Sequence, residues 1–310
     1  MSLRVLLTGA NGQVGWHLRR TLGPLAEVTS LTREELDLAE LDRVTEAVRD
    51  FAPDILVNAA AYTAVDKAES EPELARMINA TAPARMAREL AHRRCLLVHY
   101  STDYVFDGSK PVDKPYEEVD PAAPRNVYGQ TKLEGERLIV ESGCPYIILR
   151  TSWVYDIRGK NFLRTVLRLA AEREELRMVT DQFGAPTWAR SIAEATAIIL
   201  ARCLAHSSRT AKWPTGLFHL TATGQTTWAG FANAILEEYE SLRVSMATPE
   251  ELPPLKAKKV VPITTAEFPT PARRPRSSML SHGQVAHAFG VLMPDWREQL
   301  HLAIEDMVCR

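Results

Sequence analysis

Over the first half of the chain, short apolar runs alternate with longer stretches whose apolar positions recur every three to four residues. Residues 4–8, 27–31, 54–58, 96–100 and 146–150 read as strands, most of them apolar enough to be covered on both faces. Between them, helices are expected at 16–20, 41–51, 71–93 and from Asn126 to near Gly143, with Pro124 and Asn126 marking the start of the last. Strand and helix in strict alternation predict an α/β fold built on a parallel, doubly wound sheet. Beyond Tyr155 the pattern loosens. Helices are expected at 162–173, 187–204, 227–242 and 296–309, with short strands near Met178 and Phe218. Pro253, Pro254, Pro262, Pro269, Pro271 and Pro275 predict mostly extended loop between the last two helices. The division expected is residues 1–155, completed by parts of 185–225, and a smaller C-terminal domain over 156–310.

The junction of the first strand and helix carries Gly9-Ala10-Asn11-Gly12-Gln13-Val14-Gly15. Glycines there permit a tight turn and close backbone approach, so that free N–H groups and the positive end of the helix dipole can face a pyrophosphate. This is the Rossmann arrangement, with G-x-x-G-x-x-G spacing. At the tip of the second strand stand Thr32 and Arg33, where an NAD-preferring protein places a carboxylate for the ribose 2′-hydroxyl. The absent acid and adjacent cation point to NADPH rather than NADH, although Glu34 and Glu35 follow at once.

Ligands of doubly wound sheets bind outside the carboxyl ends of the strands. There the chain places Asn58 to Thr63, Ser101-Thr102-Asp103-Tyr104 and Thr151-Ser152-Trp153. A proline-punctuated loop containing Pro111, Pro115, Pro121 and Pro124 is long enough to cover a site. The helix after it carries Tyr128 and Lys132, one turn apart on one face. A cation close to a phenol lowers its pKa by roughly 1–3 units, which makes Tyr-x-x-x-Lys a proton donor suited to a carbonyl.

Composition narrows the partners. A formal charge of −2 gives no general attraction to nucleic acid or to a membrane surface. Cys95, Cys144, Cys203 and Cys309 are widely spaced, which argues against zinc, redox pairs and disulfides. No signal-peptide core or membrane-spanning run is seen, so a cytoplasmic protein is expected. Lys256, Lys258, Lys259, Arg273, Arg274 and Arg276 form either a solvated face or a diphosphate clamp.

With these motifs assembled, the chain resembles the extended short-chain dehydrogenase/reductases over nearly its full length. Gly12 to Trp16, Asn58 to Asp66, Ser101 to Phe106, Arg150 to Tyr155, Asp181 to Thr187 and Pro269 to Pro275 narrow the resemblance to the dTDP-4-dehydrorhamnose reductase family. The resemblance implies reduction of the C4 ketone of dTDP-6-deoxy-L-lyxo-4-hexulose to dTDP-L-rhamnose, with hydride from NADPH or, alternatively, NADH. It assigns Tyr128 as proton donor, Lys132 as the group that lowers the Tyr128 pKa and holds the nicotinamide ribose, and Thr102 as a hydrogen-bond partner of the reacting oxygen. Gly12, Gln13, Val14, Asp37, Leu38, Ala61, Tyr62, Thr63 and Tyr100 would line the cofactor. Thr102, Asp103 and Trp153 would meet the dTDP-sugar. Related epimerases and dehydratases share the glycine loop and the Tyr/Lys pair, and a non-catalytic subunit could keep the nucleotide site. Dehydratases place Asp-Glu after the threonine, where this chain has Asp103-Tyr104. Some bacterial family members dimerise through a magnesium ion held by three glutamates. His17, Arg190 and Arg297 stand at the matching positions, with Glu194 and Glu298 nearby. No metal is therefore expected, and the chain would be a monomer or a metal-independent homodimer.

Overall fold

The computed structural model describes residues 3–93, 95–210, 212–245 and 252–308 of the 310-residue chain. Its first half runs β1 (Arg4–Thr8), α1 (Gln13–Thr21), β2 (Glu27–Leu31), α2 (Leu41–Phe51), β3 (Ile55–Asn58), α3 (Val65–Ala68) and α4 (Pro72–Arg76). A π-helical turn (Met77–Thr81), α5 (Ala82–Ala91), β4 (Leu96–Thr102), a 3-10 turn (Asp103–Val105), α6 (Val127–Glu141) and β5 (Tyr146–Thr151) follow. The second half contains β6 (Val154–Tyr155), α7 (Phe162–Glu172), β7 (Glu175–Val179), β8 (Phe183–Gly184), β9 (Thr187–Trp188), α8 (Ala189–Thr210) and β10 (Gly216–His219). It ends with β11 (Thr226–Thr227), α9 (Trp228–Ser245), β12 (Lys259–Ile263), a 3-10 turn (Thr265–Glu267), α10 (Gly283–Phe289) and α11 (Trp296–Val308).

Six strands form one parallel sheet in the order β10-β5-β4-β3-β1-β2. Side chains alternate across a strand, so a sheet buried on both faces divides its residues between two cores. Val5, Leu7, Ile55, Val57, Leu96, Val98, Ile147 and Leu149 pack with Leu18 and Leu22 of α1 and with Ile192 and Ile199 of α8. Leu6, Leu56, Leu97 and Ile148 pack on the other face with Val44 and Val48 of α2 and with Met86 and Leu90 of α5. A third cluster joins α7, α9 and α11 through Leu163, Val166, Phe231, Ile235, Trp296 and Leu300. Among the described residues, no helix is long and apolar enough to cross a membrane.

Two expectations need correction and a third needs completing. Residues 71–93 are not one helix: Pro83 has no N–H to give and its ring would strike the carbonyl four residues back. The chain widens at the π turn instead, where the Ala82 N–H reaches the Met77 carbonyl. The proline-rich region, mostly loop as expected, also holds two elements the expectation omitted: β12, which pairs in parallel with β7, and α10, whose Val285 and Phe289 enter the first core. The helices expected from Thr187 and Thr227 begin later, after the two-residue strands β9 and β11. Cys95, Cys144 and Cys203 are buried free thiols, and Cys309 lies outside the described residues.

Helix α6 is seated closely against its surroundings. Asn126 caps it, with Oδ1 accepting from the Gly129 N–H at 2.8 Å while Nδ2 donates to the Arg273 carbonyl at 2.9 Å. A β-carbon on Gly129 would overlap the Tyr104 carbonyl, and one on Gly135 would overlap the Asn79 carbonyl of the π turn. The buried Glu136 carboxylate takes Nε and Nη2 of Arg150 at 2.9 and 2.7 Å, tying α6 to β5. Because Gly135 meets rigid backbone, Gly135→Ala should lower the free energy of unfolding in urea by about 1–3 kcal/mol, in the range of overpacking. An unchanged midpoint would mean that α6 can move away from the π turn at no cost.

Candidate active site

A cleft of about 680 Å³ runs along the carboxyl ends of the sheet strands. At one end lies the glycine loop. Gly9 has φ +74°, and a β-carbon there would come within 2.6 Å of the Ala60 nitrogen, so the loops after β1 and β3 meet where the strand order reverses. Gly12 begins α1 with no side-chain cap, which leaves first-turn N–H groups for a ligand. Gly9, Gly12, Gln13 and Val14 line the cleft, whereas Gly15 does not. A β-carbon on Gly15 would overlap the Gly9 carbonyl, so its part is to let the helix close on the loop. This donor set fits a pyrophosphate.

Further along, Arg33, Asp37, Leu38, Ala61, Tyr62, Thr63 and Tyr100 line the same cleft. Thr32 does not, and its N–H is taken by Glu35 Oε2 at 2.7 Å. The tip of β2 also holds a carboxylate that sequence position alone hides. Asp37 folds back, accepting from Nε and Nη2 of Arg33 at 3.2 Å each and from the Ala39 N–H at 3.0 Å. Tyr62 donates to Glu71 at 2.6 Å, and that bond first, with burial, pushes its phenol up to about 12.

The middle of the cleft brings together Thr102, Asp103, Tyr128 and Lys132. Burial holds the Tyr128 phenol above its ordinary pKa, opposed by the Thr102 side chain, with the Asp103 and Tyr104 charges adding to the rise. Among the described residues, Lys132 makes no hydrogen bond to Tyr128. Its Nζ instead donates to the Tyr100 carbonyl at 2.6 Å and meets His99 Nε2 at 3.1 Å. With only 1 % of its surface exposed, burial draws it down to about 8, against the pull of Glu136. Asp103 is raised to about 6, chiefly by burial and despite the Thr102 hydroxyl that donates to it at 3.0 Å and the Ser278 and Ser152 hydroxyls nearby.

Trp153 forms the far wall. Its φ of +48° is strained for a bulky residue, and its indole lies parallel to Trp228 at 3.5 Å. A β-carbon on Gly184 would collide with that indole. Two contributions escaped the sequence reading. Gly159, Lys160 and Asn161 line the cleft near the glycine loop, where the glycine of the loop was the only available signal. Asn79 joins the loop after β3 to α6, accepting from the Tyr62 N–H at 2.9 Å and donating to its carbonyl at 3.1 Å and to Thr131 Oγ1 at 3.2 Å.

None of Lys256, Lys258, Lys259, Arg273, Arg274 and Arg276 lines this cleft. Arg274 binds Asp66 at 2.6 Å and the Tyr104 hydroxyl at 3.1 Å, and Lys259 pairs with Glu175. Arg274 and Lys259 thus tie neighbouring surface segments together. His17 is buried, its Nε2 3.1 Å from Asp156 Oδ1. Arg190 pairs with Glu194 and Asp306, and Arg297 with Glu237.

Comparison with known proteins agrees with this arrangement. Residues 3–309 match the family model described as the RmlD substrate binding domain. The chain is 47 % identical over 306 residues to a dTDP-4-dehydrorhamnose reductase of Burkholderia thailandensis, covering 99 % of each. It is 44 % identical over 302 residues to that of Escherichia coli, covering 95 % of each. The structure is similar to a dTDP-4-dehydrorhamnose reductase of Bacillus anthracis in complex with NADP, with a TM-score of 0.85, 34 % identity, and 99 % of this chain and 100 % of that one covered. A six-stranded parallel sheet, a glycine-lined cleft, and full-length likeness to these relatives place the chain in the dTDP-4-dehydrorhamnose reductase family.

Proposed function

We propose that this protein reduces the C4 ketone of dTDP-6-deoxy-L-lyxo-4-hexulose to dTDP-L-rhamnose, taking hydride from NADPH. The observation that carries the reading is the convergence of Thr102, Tyr128 and Lys132 on a cleft that begins at a dinucleotide-type glycine loop, in a chain 47 % identical to a named reductase of this kind. The first-turn N–H groups of α1 would hold the pyrophosphate, Arg33 the 2′-phosphate, and Lys132 and Tyr100 the nicotinamide end. Bound there, the dinucleotide supplies hydride to the ketone carbon.

The protein supplies the proton and the orientation. Tyr128 gives its phenolic proton to the alkoxide, and Thr102 hydrogen-bonds the same oxygen. Because burial raises the Tyr128 pKa, the phenol stays protonated through neutrality and is ready as an acid. Asp103, beside Thr102 and largely ionised at neutral pH, accepts from sugar hydroxyls, while Trp153 gives the sugar an apolar wall. Tyr104, which occupies the place of a second acid in dehydratases, is pushed up to about 12 by burial and bonded to Arg274, so it supplies no carboxylic acid for water elimination. The sheet unit with α8 and β10 serves as the cofactor domain, and the α7, α9 and α11 cluster as the mainly sugar-nucleotide domain. Three buried free thiols suit a cytoplasmic setting.

Tyr128→Phe should lower kcat for the 4-keto sugar by about 10²–10⁴-fold, with NADPH affinity nearly unchanged, because it removes one proton donor and keeps the ring. Undiminished turnover would remove Tyr128 as the acid. Arg33→Ala should weaken NADPH binding severalfold more than NADH binding in fluorescence titration, a gap kept modest because Asp37 already engages the guanidinium. Equal weakening would take Arg33 out of the 2′-phosphate site. Oligomeric state should be independent of magnesium, since His17 is turned inward and guanidinium groups have no lone pair to offer a cation. A change of mass between magnesium and chelator in sedimentation velocity would refute this.

A further inference from the structure

Behind Lys132 lies a buried hydrogen-bond chain that proton donation by Tyr128 does not use. Thr8 Oγ1 donates to Asn58 Oδ1 at 2.8 Å, and the Ala60 backbone N–H donates to the same oxygen at 3.2 Å. A backbone N–H cannot accept, so it fixes the amide with Oδ1 on that side. Asn58 Nδ2, which can only donate, therefore faces His99 Nδ1 at 3.1 Å. His99 Nδ1 must be the acceptor, and a neutral imidazole then carries its proton on Nε2. His99 is fully buried, and burial keeps its pKa well below the ordinary value, so it stays neutral.

The consequence falls on Lys132. His99 Nε2–H points at Lys132 Nζ across 3.1 Å, and Nζ also donates to the Tyr100 carbonyl. An ammonium has three donors and no acceptor, so a charged Lys132 would set donor against donor. An uncharged amine can take the Nε2–H proton on its lone pair and still donate to Tyr100. We propose that His99 is a positioning residue that favours the uncharged amine of Lys132 in the free protein, so that in alkaline solution NADPH binding charges Lys132 by uptake of one proton from solvent.

This rests on the cleft being the NADPH site. There, cofactor hydroxyls offer the acceptors that His99 withholds, and the added proton goes to Nζ with no other bond made or broken. The groups around Lys132 leave little else to titrate above neutrality. Glu136 on the same helix is held by Arg150, Asp103 is ionised, and Tyr128 is held neutral. β3 contributes Asn58 and the π turn contributes Asn79, both uncharged.

Lys132 lies near 8 when free and rises when charged by the ligand, so uptake is small at pH 7 and grows above pH 8. The same linkage weakens NADPH binding by up to about tenfold per pH unit above that value. The test is calorimetric titration of NADPH into the protein at pH 7 and pH 9, in buffers of different ionisation enthalpy. Wild type should take up close to one proton at pH 9, and Lys132→Met should take up none. In His99→Gln, the amide oxygen can face the ammonium, so uptake should fall to a small fraction and the pH dependence of affinity should flatten. A purely structural His99 would instead weaken binding equally at both pH values. Binding without uptake in wild type at pH 9, or equal uptake in wild type and His99→Gln, overturns the inference. Failure of wild type to bind NADPH at all would instead remove the cofactor reading, and this inference with it. Should His99→Gln not fold, the 15N spectrum of the free wild-type protein decides: a proton on His99 Nε2 supports the chain of bonds, and one on Nδ1 overturns it.

Discussion

The structure depends on placing one amine, Lys132, out of water at the end of β4. Burying a charge is among the costliest steps in folding, and this site avoids much of that cost, because a carbonyl and an imidazole N–H bond the amine and its pKa is reduced. Those partners sit on β4, so α6 must come close enough for a lysine to reach them. The close approach explains glycines facing the Tyr104 and Asn79 carbonyls, and an ion pair from Glu136 to Arg150 that fixes the helix along its axis. The spacing from Tyr128 to Lys132 is thus set by two constraints: the phenol must reach the open cleft and the amine must reach the sheet.

The two ends of the cleft are built by different means. Around the glycine loop, the ligand-facing groups are mostly backbone, held by turn geometry and by the touching loops after β1 and β3. Around Thr102 and Trp153, they are side chains held in buried or strained states, such as a carboxylate raised by desolvation and an indole at positive φ. A dinucleotide common to many enzymes can be bound by backbone alone. A particular sugar needs side chains that differ between enzymes, and buried polar groups discriminate strongly because leaving one unpaired is costly.

This division also explains what the sequence disclosed. The strands at 4–8 and 146–150 and the Tyr-x-x-x-Lys helix were legible because burial on both faces and a one-turn spacing leave local marks. Gly15 belongs to the glycine motif but lets the helix close on the loop, and motif spacing does not tell a glycine that admits a ligand from one that admits a helix. Thr32 is displaced from the cleft while Asp37 stays on it, because the chain folds back through an Asp37–Arg33 contact that linear position does not encode. His99 and Asn79 went unread as site residues because their partners lie 33 and 52 residues away along the chain. Pro83 marks the break between α4 and α5 in the sequence, where helical periodicity alone shows none.

The π turn at Met77–Thr81 carries a further consequence for how this fold can vary. A π turn amounts to one residue inserted into an α-helix, and each α-helical residue advances the phase by about 100°. The residues before it and those of α5 therefore belong to two helical registers, joined where the Asn79 side chain reaches both Tyr62 and Thr131. Deleting one residue there would remove the widened turn, set the Pro83 ring against a carbonyl of the preceding turn and rotate α5 against the sheet, turning Met86 and Leu90 out of their core. Insertions and deletions that a surface helix would tolerate are excluded from this one, so the length of the segment from Pro72 to Ala91 is constrained independently of its composition.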